Sequence, residues 1–413
     1  MQLKPLSRSL AALAASLLLL ASCGGGGGDG DGAAAGLMPG VPPGGSAAYA
    51  GVAGDAQSCS LDRQKNFVRA YLDEVYLWYD EIPSVDPAAY SNIPDYFNAL
   101  LVRTPDASGQ PRDRFSAVLP LPQAQDLRKS LGLEQASAGT LLKAHTNFVP
   151  LTQVVNSGTG RKVGYILFND HDVGAQDDLI AAFRNLQGQG VQDLVLDLRN
   201  NSGGYLYIAL AAASMITGPQ NNGQVFEQLR YNAKRTQLTA QSTLRFAGTV
   251  QYGESQNPAG TPLPQLALPR VFVLTTGATC SASESIINSL RGVNVQVVRV
   301  GTTTCGKPYG FQQKNNCGYA YFPIEFQGTN AQGFGDYTGG FQPTCNVAAS
   351  GTPGDPASDT LLQGALTYID TGACPAGTAT GVQSAGTPVL GASEVPRRPG
   401  WAGRLLLPQQ QPR

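Results

Sequence analysis

Apolar positions recur at helical spacing soon after residue 60: Phe67, Tyr71, Val75 and Trp78, with Val68 and Leu72 beside them, predict an amphipathic helix. Tyr96, Phe97, Leu100 and Leu101 predict a second, shorter one. Together they read as a small N-terminal helical domain over residues 59–118, its aromatic stripe serving as core packing. Residues 119–160 read as a connecting segment, with a helix expected around 123–133 and a strand around 148–155. From residue 163 the period switches repeatedly. Strands are expected at 163–168, 193–198, 270–275, 295–300 and 319–326, and helices at 175–186, 205–217, from about 281, and at 360–369. Strands alternating with helices predict an α/β fold with a largely buried sheet over residues 161–375.

Both ends of the chain break this pattern. Lys4 and Arg8 precede an apolar run over residues 10–20, followed by Ala21, Ser22 and Cys23. The run is about half of the roughly 20 residues a membrane span requires, so residues 1–22 read as a signal peptide. Leu20-Ala21-Ser22-Cys23 resembles the lipobox of bacterial lipoproteins, which makes Cys23 the expected lipidation site and first mature residue. Residues 23–58, dominated by Gly, Ala and Pro, read as a flexible spacer, and residues 376–413 as a disordered tail.

Composition narrows the function classes. The 413 residues carry 28 Lys plus Arg against 29 Asp plus Glu, so no basic excess exists to neutralise phosphates and no nucleic-acid partner is expected. His145 and His171 are the only histidines, and no His or Cys group has zinc-ligand spacing, so neither a metal nor a cofactor is expected. Seven cysteines less Cys23 leave an even set for disulfides in an exported protein, with 15 pairings open. Cys305 with Cys317 and Cys345 with Cys374 are the pairs that would close local excursions.

Three strand ends carry candidate chemistry. After the strand at 193–198 comes Asp197-Leu198-Arg199-Asn200-Asn201-Ser202-Gly203-Gly204, whose paired glycines let amide groups face developing negative charge, as an oxyanion hole requires. After 270–275 comes Thr279-Cys280-Ser281-Ala282-Ser283-Glu284. Ser281 followed by Glu284 fits a capping box, and equally a serine whose alkoxide is favoured by a helix N-terminus. After 295–300 comes Gly306-Lys307-Pro308, a lysine in a restricted turn that desolvation would turn into a general base. Neither histidine falls in a comparable strand-end turn, so the expected pairing is Ser with Lys.

Taken in order, Asp-Leu-Arg-Asn-Asn-x-Gly-Gly, Ser-Ala-Ser-Glu and Gly-Lys resemble the C-terminal processing (tail-specific) serine protease family over roughly residues 161–372. Tyr76-Leu77-Trp78-Tyr79 is similar to the N-terminal segment of its lipoprotein members. The resemblance implies a ClpP/crotonase-like catalytic domain. It makes Ser281 the nucleophile, Lys307 the base, and the amides of Gly204 and Ala282 the oxyanion hole. The family places a lysine-positioning glutamine four residues after the lysine; the nearest here is Gln312, five after. Ser202 replaces a glycine usual in the family's turn, which is expected to survive. Implied substrates are unfolded or tail-exposed polypeptides of the bacterial cell envelope, met by an enzyme held through Cys23 at the outer membrane and facing the periplasm. The same fold also implies an alternative, a non-catalytic peptide- or lipid-binding protein. The stretch between Val118 and Val163 is shorter than the roughly 50 residues an independent domain needs, so the family's PDZ domain is expected to be missing or reduced. Substrate is then expected to pair by strand addition between the helical domain and the sheet.

Overall fold

A computed structural model describes residues 58–106, 109–124 and 147–378. The expected signal peptide, Cys23, His145, almost all of the spacer, most of the helix at 123–133 and the tail beyond residue 378 lie outside the described residues, and so does the central part of the connecting segment. Among the described residues no helix is long and apolar enough to cross a membrane.

In chain order the elements are α1 (Leu61–Val75), α2 (Ile93–Ala99), β1 (Ala117–Pro120), β2 (Leu151–Asn156), β3 (Lys162–Leu167), α3 (Ala175–Gln189), β4 (Asp193–Asp197), α4 (Leu206–Ile216), β5 (Val225–Tyr231), α5 (Thr236–Gln241) and β6 (Thr243–Arg245). Then come β7 (Arg270–Thr275), α6 (Ala282–Gly292), β8 (Gln296–Gly301), β9 (Tyr309–Gly310), β10 (Lys314–Asn316), β11 (Tyr319–Phe322), β12 (Phe326–Thr329), β13 (Cys345–Asn346) and α7 (Thr360–Thr371).

A six-stranded sheet in the order β13-β8-β7-β4-β3-β2 organises the molecule. All its pairs are parallel except β2 with β3. Its strands alternate strictly between two cores, as the two-residue period of a strand requires. Ile166, Leu194, Leu196, Val271 and Val273 face α3, α4 and α6. Tyr165, Val195, Phe272, Leu274 and Val298 face α7. Helix α4 lies wholly inside, each of its residues buried, which is why its sequence has no polar face.

The α/β architecture expected from the sequence is therefore present, with an N-terminal helical region beside it. That region shares its core with a distant stretch of chain. Phe67, Tyr71, Tyr76 and Phe97 pack with Tyr309, Phe311, Tyr321 and Ile324, and β1 pairs antiparallel with β11. The single strand expected at 319–326 is two: Pro323 has no amide to donate to a ladder, so β11 joins a three-stranded sheet with β1 and β10 while β12 joins a four-stranded one with β6, β5 and β9.

Three disulfides brace the fold: Cys59–Cys317, Cys280–Cys305 and Cys345–Cys374. The expected 345–374 pair forms. The expected 305–317 pair does not, because Cys305 lies at the end of the main sheet while Cys317 turns the β10–β11 hairpin toward the start of α1.

Candidate functional site

The loops that follow β3, β4, β7 and β8 meet at one end of the sheet. After β4, Asp197 holds Arg199 at 2.8–2.9 Å, and Arg199 reaches Asp359, the N-cap of α7, at 2.6 Å. Both charges are buried and paired, so the charged part of the motif fixes the loop. Asn201 ties it to two others. Its Oδ1 accepts from Gly203 N at 3.0 Å and lies 2.9 Å from His171 Nδ1; its carbonyl accepts from Cys280 N at 3.1 Å and Ser283 Oγ at 3.0 Å. Because the Asn201 amide already donates to Phe168 O at 3.0 Å, the His171 nitrogen facing Oδ1 carries the proton.

Gly203 and Gly204 follow with φ of +92° and +146°. Neither could carry a side chain. A Cβ on Gly203 would stand 2.7 Å from Cys280 O and 2.8 Å from Ala282 N, and one on Gly204 would stand 2.3 Å from His171 O. Among the described residues, the amides of Gly204 and Ala282 take no part in the backbone hydrogen bonding around them. Ala282 opens α6, where helix geometry leaves the first amides without intrahelical partners.

Ser281 is the N-cap of α6 and fully buried, at φ +60°, a conformation costly for a residue with a side chain. Its amide donates to Glu284 Oε2 at 2.9 Å, the carboxylate half of a capping box. The reciprocal contact from the Glu284 amide falls short of hydrogen-bond geometry, and Ser281 Oγ has no partner among the described residues. The hydroxyl that would cap the helix is thus left available.

Glu284 also receives the Lys307 amide on Oε2 at 2.8 Å, and on Oε1 the Gly306 amide at 2.8 Å and Thr304 Oγ1 at 2.5 Å. The Thr304 hydroxyl itself accepts from Phe341 N at 2.7 Å, so its proton points to the carboxylate. Burial pushes the Glu284 carboxyl above its usual range, with these donors opposing the rise. Four donors facing its two oxygens are what an ionised carboxylate accepts.

Lys307 is fully buried. Burial holds its amine down to about 7, against the opposing pull of Asp113 and Glu284. Its Nζ lies 5.2 Å from the centre of the Phe115 ring and 5.0 Å from that of Phe311.

Comparisons with known proteins bear on this arrangement. The sequence profile of peptidase family S41 matches residues 162–318, spanning the glycine loop, Ser281 and Lys307, and that of the peptidase S41 N-terminal domain matches residues 63–117. Over these two stretches the chain is similar to peptidase family S41. Among curated S41 relatives, it is 31% identical over 158 residues to a carboxyl-terminal-processing protease of Picosynechococcus sp., a match covering 38% of this chain and 32% of that one. A carboxyl-terminal-processing protease of Synechocystis sp. is 28% identical over 179 residues, covering 43% and 36%. The chain thus spans about a third of the length of the curated relatives it matches. An S41-type structure from Bacteroides fragilis covers 74% of this chain and 97% of its own at 23% identity, with a TM-score of 0.58, a likeness of fold.

Within the matched stretch, the sequence-derived residues Gly204, Ser281, Ala282 and Lys307 come together. Gln312 does not: its side chain is exposed, and its amide donates to Glu325 Oε1 at 3.1 Å. The position four residues after Lys307 holds Phe311 instead. His171, not expected in a strand-end turn comparable to the candidate ones, follows β3 and pairs with Gly204 across a parallel bridge. Asp113, Phe115 and Phe311 were not anticipated, since nothing in an apolar ring or a lone aspartate marks proximity to a lysine distant in sequence. Cys280, Glu284 and Cys305 bring their ligand atoms within 4.8 Å of one another, but the two sulfurs are joined to each other.

Proposed function

We propose that the chain is a serine-type endopeptidase in which Ser281 is the nucleophile and Lys307 the general base. The observation that carries this reading is the coupling of the two residues through one carboxylate oxygen, with the serine hydroxyl unpartnered and the lysine amine poised near neutrality. Neutral Lys307 takes the Ser281 proton as Oγ attacks the scissile carbonyl. The amides of Gly204 and Ala282 receive the developing oxyanion. The resulting ammonium protonates the leaving amine, and water, deprotonated by the same lysine, releases the acyl group. A binding protein of the same fold has no use for a strained, buried serine of this kind.

The names of the curated relatives support polypeptide substrates with accessible carboxyl termini. The lipobox-like sequence at Cys23 supports an envelope location for this chain. An unstructured protein such as casein, incubated with the wild type, Ser281→Ala and Lys307→Ala, tests the reading, alongside labelling by a fluorophosphonate. Cleavage and labelling in the wild type, both lost in each variant, are expected. Normal turnover by folded Lys307→Ala would overturn the assignment of the base.

A further inference from the structure

Resting on the Ser281–Lys307 reading, we propose that Phe115 and Phe311 form an aromatic seat that positions the Lys307 amine and stabilises its ammonium form as the serine proton arrives. Phe311 directly follows β9, four residues after Lys307, is fully buried, and its ring is braced edge-on against Phe322 at 5.7 Å. Phe115 comes from the N-terminal region, almost two hundred positions earlier in the chain. Its two neighbours hold it in place. Arg114 donates to Gly306 O at 3.3 Å and Thr338 O at 2.8 Å, and Ser116 Oγ accepts from Ile324 N at 2.9 Å. Asp113 fixes the turn from the other side, its Oδ1 accepting from Phe115 N at 3.0 Å and Ser116 N at 2.8 Å, its Oδ2 from Tyr76 Oη at 2.6 Å. A ring presented by so many bonds to the lysine turn is not incidental packing.

The chemistry gives the rings a task that an aliphatic pocket could not perform. In the resting enzyme a dry pocket favours the neutral amine, the form a base needs. During attack the Ser281 O–H bond breaks, the Oγ–C bond forms, and the proton moves to Nζ, so positive charge appears where none stood before. Ring faces about 5 Å away attract that charge. Their contribution therefore grows toward the transition state, which is the kind of interaction that raises kcat. Among the described residues, Asp113 from the N-terminal region and Glu284 from α6 are the charges that act on the Lys307 amine. Tyr76 donates to Asp113, the Arg114 guanidinium lies 4.7 Å from the centre of the Phe115 ring, and Tyr309 and Tyr337 are buried titratable groups of the segments beyond Lys307. Phe115 and Phe311 are positioning residues that act through Lys307.

The experiment is the rate of Ser281 phosphonylation by a fluorophosphonate, measured against pH, in the full disulfide-bonded chain. Serine Oγ displaces fluoride at phosphorus while its proton passes to Lys307, so no knowledge of the natural substrate is needed. Phe115→Leu and Phe311→Leu keep apolar bulk but remove the ring faces. Each is expected to lower the limiting rate about tenfold and to move the midpoint of the acid limb down by up to roughly one unit. Phe311→Trp is expected to restore both. If the Leu variants label at the wild-type rate with an unmoved midpoint, the seat is refuted. A loss that merely follows the folded fraction, with the midpoint unmoved, refutes it equally. Lys307→Ala in the same assay separates the two levels: wild-type labelling there overturns the dyad and the seat with it, whereas lost labelling beside indifferent Leu variants removes the seat alone.

Discussion

The backbone amides of Ser281 and Lys307 donate to one and the same oxygen, Glu284 Oε2, at 2.9 and 2.8 Å. The turn after β7 and the turn after β8 are thereby registered through a single atom, and neither can shift without disturbing the other. The Cys280–Cys305 disulfide and the bond from Cys305 N to Thr279 O at 3.0 Å close the same junction beside it.

Glu284→Gln should therefore disable the proposed site without touching the Ser281 or Lys307 side chain. One side-chain N–H must now face amides that previously met an oxygen, leaving buried donors unsatisfied at about 1–3 kcal/mol each. Phosphonylation of Ser281 should fall at least about tenfold, the melting temperature should drop, and the acid limb should move below its wild-type position because a negative neighbour of Lys307 is gone. A variant with an unaltered rate and pH profile would show that the carboxylate is dispensable.

Lys307 also makes a signed prediction about stability. Its amine is held at about 7 in the folded chain, against an ordinary 10.5. Between those values the unfolded chain keeps a proton that the folded chain has released, so stability rises with pH across the window and the buried lysine costs most below about pH 7. Lys307→Met should melt higher than the wild type at pH 6 and lose most of that advantage by pH 10, while wild-type phosphonylation climbs between pH 6 and 8. Thermal unfolding across this range checks the first half. A melting difference independent of pH contradicts it.

Gly203→Ala and Gly204→Ala should damage catalysis by displacing amides. With φ values of +92° and +146° and no room for a Cβ, either change forces the loop away from Ser281 or from His171. Loss of one aligned oxyanion donor costs about 10²–10³ in rate. Phosphonylation rates of the folded variants measure it, and a drop of less than about threefold would place the oxyanion elsewhere.

The parts of the fold that were legible in the sequence are those where burial leaves few options. Strands β3, β4, β7 and β8 are covered on both faces and so consist of near-continuous Val, Ile, Leu and Phe. The start of α6 was visible in the spacing of Ser281 and Glu284. What the spacing could not reveal is that the carboxylate performs the capping and serves Lys307 as well, because the second set of donors arrives from a loop beyond β8. Residues 218–262, with β5 and β6, gave no clear pattern: these strands pair in a small antiparallel sheet with β12, far away in sequence. His171 was passed over because the turn after β3 lacks the glycine and helix-start signals of the three candidate turns, although His171 and Asp172 are buried there.

The disulfides should separate stability from activity. In the chain-entropy view, the Cys59–Cys317 link, with a separation of 258 residues, is worth about 5–6 kcal/mol, and the Cys280–Cys305 link, with a separation of 25, about 3–4 kcal/mol. Replacing the first pair with serine should lower the melting temperature more while folded protein still labels at Ser281. Replacing the second should cost less stability and more labelling. The reverse order would show that the strap beside Ser281 is a structural brace alone.

The shared core of the N-terminal helices and residues 309–324 has a consequence for how the chain is made. Helices α1 and α2 leave the ribosome early, yet Tyr321, Phe311 and Ile324, which cover their apolar faces, are synthesised more than two hundred residues later. At roughly 5–20 residues per second, those faces stay uncovered for tens of seconds. Phe115 meets Lys307 only at the end of that interval, so the N-terminal region waits, half-covered, for most of the chain's synthesis, and the surroundings of the Lys307 amine are completed only after both partners exist.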